Sequence, residues 1–184
     1  MNIIEEISKK YGGNYAEERT KKVSTPNGQN IYQPKKGILE IDGTKISLNS
    51  NEVGGAMPVT EPLRVILYLD KIYNTELTIF PKDLWNDFLD FIMPKRRDFI
   101  PPPLRKQFWF GGDKTLLKKL ATDKILIENL LNERVYIETK SKETDWIILT
   151  PEYGIENIKQ FEKFVIILKR IEEKIKTAGN NTYN

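Results

Sequence analysis

Glu138, Thr139 and Lys140 set a carboxylate two residues ahead of an ammonium group, at the end of an alternating apolar run from Val135 to Thr139. At a strand end this spacing lets the carboxylate hold Mg²⁺ while the lysine stabilises charge on an attacked phosphate. Cleavage of that kind needs further acids from a neighbouring strand and a preceding helix. Asp145 and Glu128 are the available candidates, and neither stands in a recognisable motif. Alternating charges at the tip of a hairpin account for the same tripeptide without any chemistry. Asp87 and Asp90, three apart in a helical pattern, are explained equally well by solvent exposure, because a pair of glycosidase carboxylates needs a shared cleft.

A second group runs from residue 95 to 110. Lys95, Arg96, Arg97, Arg105 and Lys106 lie beside Phe99, Phe108, Trp109 and Phe110. Cations interleaved with rings suit a single nucleic-acid strand, since the cations neutralise phosphates while the rings stack on bases. The plainer reading docks the aromatics into a core and leaves the cations at its rim. Lys95, Arg96, Arg97, Arg105, Lys106 and Trp109 are therefore the candidate binding residues.

Cysteine and histidine are both absent. This excludes a disulfide framework, a thiolate nucleophile, a Ser-His-Asp triad and any zinc site built from His or Cys. Carboxylate and lysine chemistry remain. The 29 Lys and Arg exceed the 26 Asp and Glu by a net +3, with both signs interspersed, so the charge balance does not demand nucleic acid. The first thirteen residues place two acids in their short apolar run, unlike a secretory leader, and no stretch approaches the roughly 20 apolar residues of a membrane span. A cytoplasmic chain is expected.

These residues must be positioned by an α+β fold, an antiparallel sheet packed against several helices. Length suits one domain over 1–176: an N-terminal helix over 1–13, a β-rich half over 14–81, and a helix-rich half over 82–176 containing a hairpin at 134–150. Residues 177–184 are expected as a disordered tail. In the front half, Pro26-Asn27-Gly28 marks a turn between edge strands, and Asp42-Gly43 has the preference of a type I′ hairpin turn. That turn sets Ile41 opposite Thr44, Leu39 opposite Ile46 and Gly37 opposite Leu48. Residues 49–61 lack a period and read as a loop. Leu63 to Leu69 alternates strictly and should pair with Glu76 to Phe80 as the last strands of a four-strand meander.

The periodicity then turns helical. Asp83 caps a helix over Leu84 to Ile92, and the three prolines at 101–103 bring the chain extended into Phe108-Trp109-Phe110, where Gly111-Gly112 lets it turn. Asp113 caps a helix with Leu116, Leu117 and Leu120 on its apolar side. Asp123 caps another carrying Ile125, Leu126, Leu130 and Leu131. Glu156 to Lys176 is the longest helix, with Ile158, Phe161, Val165, Leu168 and Ile175 at helical spacing and Phe164, Ile167 and Ile171 widening the face.

The order Gln107-Phe108-Trp109-Phe110-Gly-Gly-Asp113, two leucine-rich helices, a hairpin and a closing amphipathic helix resembles the soluble region of uncharacterised bacterial families, often membrane-anchored, known only as domains of unknown function. The resemblance covers residues 63–176, and the chain departs from it in lacking a membrane segment. Those families supply no catalytic residues to carry over, and no cofactor is expected. The function expected is therefore a noncatalytic domain that binds a protein partner, of accessory, regulatory or immunity type. The alternatives are a Mg²⁺-dependent nuclease of restriction-endonuclease-like type using Glu138, Lys140 and Asp145, and a single-strand nucleic-acid binder using the 95–109 stretch.

Overall fold

The computed structural model describes residues 2–25, 28–55, 63–82, 98–139 and 143–179. Nine strands among them form one antiparallel sheet: β1 (Asn14–Glu17), β2 (Lys21–Thr25), β3 (Gly28–Ile41), β4 (Thr44–Gly55), β5 (Arg64–Tyr73), β6 (Leu77–Pro81), β7 (Phe108–Gly112), β8 (Val135–Thr139) and β9 (Thr144–Pro151). The described helices are α1 (Ile3–Lys10), α2 (Pro102–Gln107), α3 (Lys114–Ala121), α4 (Lys124–Leu130) and α5 (Ile158–Gly179). The chain is thus an α+β fold closed by a long C-terminal helix.

The sheet is built outward from the Asp42-Gly43 turn. Both residues have positive φ, 49° and 72°, the backbone a type I′ turn requires. The expected register follows: Ile41 faces Thr44, Leu39 faces Ile46, Gly37 faces Leu48, and Glu40 meets Lys45 on the opposite face. The ribbon is longer than its apolar pattern suggests. β3 runs unbroken to Gly28 and β4 to Gly55, so residues 49–55 are strand rather than loop. Nothing in their pattern announces it, and β4 pairs with β5 only over 46–49. Pro34 is tolerated within β3 because it lies in the gap between the segments paired with β1 and β2, where no ladder N–H is needed.

The expected pairing of β5 with β6 is overturned. The strand order is β1-β3-β4-β5-β9-β8-β6-β7, with β2 also on β3, so the hairpin β8/β9 sits between the two strands. The three residues 74–76 carry no tight-turn signal, and they pass over the end of that hairpin instead of folding β6 back on β5. Tyr73 pairs with Thr144, and the Leu77 N–H donates to Thr139 Oγ1 at 2.9 Å.

One face of the sheet carries Leu39, Ile46, Leu48, Val65, Leu67, Ile137, Ile147 and Leu149, all buried. The helices pack on this side. A Cβ on Gly37 would sit 2.6 Å from Ser8 Oγ and 2.9 Å from Ile4 Cγ2, so α1 lies directly over β3. Lys169 Nζ donates to Thr44 Oγ1 at 2.5 Å, which fixes α5 over β4. Phe161, Phe164, Ile167, Leu168, Ile171 and Ile175 of α5 are buried, each adding roughly 2 kcal/mol of transfer free energy. Tyr11 meets Phe161 edge-on, and its hydroxyl donates to Glu162 at 2.8 Å. Burial first, then that bond, pushes the Tyr11 phenol up to about 12.

The stretch between the prolines and α3 differs from expectation. Pro102–Gln107 is helical rather than extended, with proline in the first turn, where a missing N–H costs nothing. Phe108–Gly112 is a strand on β6, so Gly111 and Gly112, where a turn is expected, are its last two residues. Gly112 has φ 106°, and a Cβ there would overlap the Glu76 carbonyl, so the glycine is required by both backbone and space. Phe108 and Phe110 enter the core, as docking aromatics should. Asp113 and Asp123 do cap α3 and α4. Ile125 is 48% exposed rather than on the apolar side. α5 begins at Ile158 and continues through Gly179, so 177–179 belong to the helix and not to a tail. The predicted helix over 84–92, Asp83 included, lies outside the described residues, as does 180–184.

Candidate binding surfaces

The candidate residues separate in three dimensions. Arg105 and Lys106 are neighbours on α2 yet diverge. The Arg105 guanidinium turns to the exposed Asp98 at 3.1 Å, whereas Lys106 lines a cleft. Trp109 lies on the opposite sheet face to Phe108 and Phe110 and stacks on Phe80, with centroids 4.8 Å apart and planes 14° apart. Lys95, Arg96 and Arg97 fall outside the described residues.

The Glu-x-Lys element is likewise dispersed. Glu138 stands on the exposed side of β8, between Thr78 of β6 and Ile148 of β9. Asp145 is three residues before Ile148, so the two acids are about 10 Å apart along the ladder, too far to share one ion. Glu128 is on α4, in the helical layer on the other side of the sheet. Lys140 is outside the described residues, as are Asp87 and Asp90. Among the described residues no three acidic side chains converge as metal ligands would.

Two surfaces were not named by sequence. The first is a cleft of about 310 Å³ bounded by Pro81 and Lys82 after β6, Lys106 and Gln107 at the end of α2, and Asn132, Glu133 and Arg134 before β8. Its walls are tied together through backbone. The Lys82 N–H donates to the Gln107 carbonyl at 2.8 Å, and the Asn132 N–H donates to Gln107 Oε1 at 3.1 Å. Asn132 holds φ at 67°, a conformation asparagine tolerates, and so turns the chain from α4 into β8. Across that turn a second hollow of about 190 Å³ is lined by Asn132, Glu133, Arg134, Tyr153, Glu156 and Gln160, among others. Glu133 is committed to α5, accepting from Lys163 Nζ at 2.7 Å and Gln160 Nε2 at 3.2 Å. Arg134 Nε donates to Glu152, and that hydrogen bond raises the guanidinium pKa further.

The second surface is the sheet face turned away from the described helices. Ile66 and Tyr68 of β5, Trp146 and Ile148 of β9 and Tyr136 of β8 lie on it, alternating with the buried row. They are contiguous by register: Ile66 opposes Ile148, Tyr68 opposes Trp146, and Tyr136 opposes Thr150. Tyr136 remains 44% exposed. Tyr68 shares a 3.2 Å hydrogen bond with Ser47 and has Lys45 Nζ 5.1 Å from its ring centroid. None of the described helices is placed across this face by the contacts that seat α1 and α5 on the other.

A solved structure has the same fold. The crystal structure of the mycobacterial trehalose monomycolate transport factor A, TtfA, is similar over 94% of this chain and 92% of its own, with a TM-score of 0.52 and 9% sequence identity. At that identity the likeness concerns the fold. No protein-family model matches the sequence, and no curated protein matches it. Among the described residues no helix is long and apolar enough to cross a membrane.

Proposed function

We propose that this is a noncatalytic domain of accessory, regulatory or immunity type that binds a protein partner through the sheet face turned away from its described helices. The observation carrying this reading is the contiguous row Ile66, Tyr68, Trp146, Ile148 and Tyr136, apolar and aromatic, on the side opposite the helices. Tyr and Trp give large contact area with few torsions to freeze, which suits a binding surface. Exposed Lys36, Lys45 and Arg64 border the row on the β3 to β5 side, with Glu40 opposite Lys45 and Glu138 beside Ile148, so the matching segment presents apolar side chains flanked by charges of both signs. The accessory reading gains support from the fold shared with a protein named a transport factor.

Photo-crosslinking in cells tests it, with a benzophenone side chain placed at Ile148 or, as the control, at exposed Lys118 on α3. A discrete protein adduct from position 148, absent from 118 and lost when Tyr136→Lys is added, is the expected result. No adduct at 148, or the same adducts from both positions, overturns it. So does Mg²⁺-dependent phosphodiester turnover abolished by Glu138→Ala. Aromatic sheet faces also stack on single strands, and steeply salt-dependent oligonucleotide binding lost in Tyr136→Lys would replace the protein partner with nucleic acid.

A further inference from the structure

We infer that the cleft between α2, the end of β6 and the turn before β8 is an anion site for a small phosphorylated molecule. It is separate from the sheet face carrying Tyr136 and Ile148 and does not depend on that surface's function. Its walls carry the cations Lys82, Lys106 and Arg134 and the side-chain amides of Gln107 and Asn132. Among the described lining residues Glu133 is the one carboxylate, and its two oxygens are already engaged by Lys163 at 2.7 Å and Gln160 at 3.2 Å.

The donor inventory decides the class of ligand. Gln107 Oε1 is used as an acceptor by the Asn132 N–H, which leaves its Nε2 group as the donor. Arg134 spends Nε and one terminal nitrogen on Glu152, so its second terminal nitrogen is left over. Lys106 has no hydrogen bond or ion pair with any described residue, unlike Arg105 beside it, which holds Asp98. Lys106, the Gln107 amide and one Arg134 nitrogen are thus donors without an acceptor among the described residues. A ligand rich in acceptors answers that excess, and the several oxygens of a phosphate dianion do so better than the two of a carboxylate. A volume of about 310 Å³ exceeds what one phosphate fills and falls at the lower end for small organic ligands. The chemistry is therefore a phosphate ester, carried either by a free metabolite or by a lipid headgroup.

Chemical-shift titration of the full chain with glycerol phosphate, and flotation with vesicles containing phosphatidic acid or only neutral lipid, tests the site and distinguishes the two sources. Saturating shifts confined to Lys82, Gln107, Asn132 and Arg134 are expected in the first arm, or selective flotation with phosphatidic acid in the second. Lys106→Gln should weaken binding on the order of tenfold, as loss of one charge-assisted contact does. Arg105→Gln should leave it unchanged. Glu152→Gln should tighten it by releasing Arg134, a gain that no merely structural role for Arg134 predicts. Non-saturating shifts spread over surface lysines with no selective flotation overturn the proposal, as does equal weakening by Lys106→Gln and Arg105→Gln.

Discussion

At the scale of single residues, Asp123 concentrates the most electrostatic work in the smallest space. Its carboxylate is 1% exposed and accepts from the Leu126 N–H at 3.0 Å, from Arg170 at 2.9 and 2.6 Å, and from Lys174 Nζ at 3.1 Å. It therefore caps α4 and pins that helix to α5. Burial alone would raise its pKa; the hydrogen bonds from Arg170, Leu126 and Lys174 outweigh burial and hold it at about 2. Because the folded value lies below the unfolded one, the stability it contributes is complete above about pH 4 and is lost as pH falls toward 2. The shift corresponds to about 2 kcal/mol. Asp123→Asn should lower the unfolding free energy by that amount at pH 7 and flatten its fall between pH 4 and 2, as read from urea midpoints. An unchanged acid slope would remove Asp123 from this role. The sequence announces Asp123 as a helix cap, since an acid precedes an apolar run. It cannot announce Arg170 and Lys174, 47 and 51 positions away, because only the crossing of α5 over α4 brings them to the same oxygen.

At the scale of elements, what could be read locally is what is fixed locally. The Asp42-Gly43 turn sets its own register because a two-residue loop requires positive φ at both positions, and these two residues accept it. The α5 face is legible from its spacing alone. Residues 49–55 and 108–112 are not, since one segment runs beyond the pairing of β4 with β5 and the other is too short, at five residues, to show a period among its aromatics and glycines. This difference has a dynamic counterpart. No described side chain of residues 21–33 belongs to the buried core, so among the described residues the far end of the β2-β3-β4 ribbon is held by backbone hydrogen bonds with no helix packed on it. Amides of 22–24 and 30–32 should exchange with deuterium by local opening, orders of magnitude faster than those of 65–67 and 147–149 at the centre of the sheet. Equal protection in the two groups would mean the ribbon is held by something besides its ladder.

At the scale of the whole molecule, strand order dictates how cooperative the fold is. β8 and β9 are late in the chain yet central in the sheet, joining β5 to β6. α5 covers the same centre, with Phe161, Phe164, Ile167 and Leu168 buried. A chain ending at Asn132 would leave β5 and β6 each without one of its two neighbours and uncover the core. It should show no cooperative thermal transition and strong dye binding to exposed apolar surface. Cooperative unfolding of that fragment would show the front half to be independent.

The amino-acid sequence by itself determined the class of fold, the Asp42-Gly43 hairpin, the capped helices α3 and α4, the amphipathic α5, and the exclusion of thiol and imidazole chemistry. Each of these depends on residues a few positions apart or on composition. The tertiary structure alone decided that β8/β9 separates β5 from β6, and that Arg105 and Lys106 part company. It also decided that Lys82, Lys106 and Arg134 meet around one cleft. Those outcomes depend on which distant segments share an edge of the sheet, and backbone ladders are made of groups that every residue carries, so side-chain pattern leaves their partners unspecified.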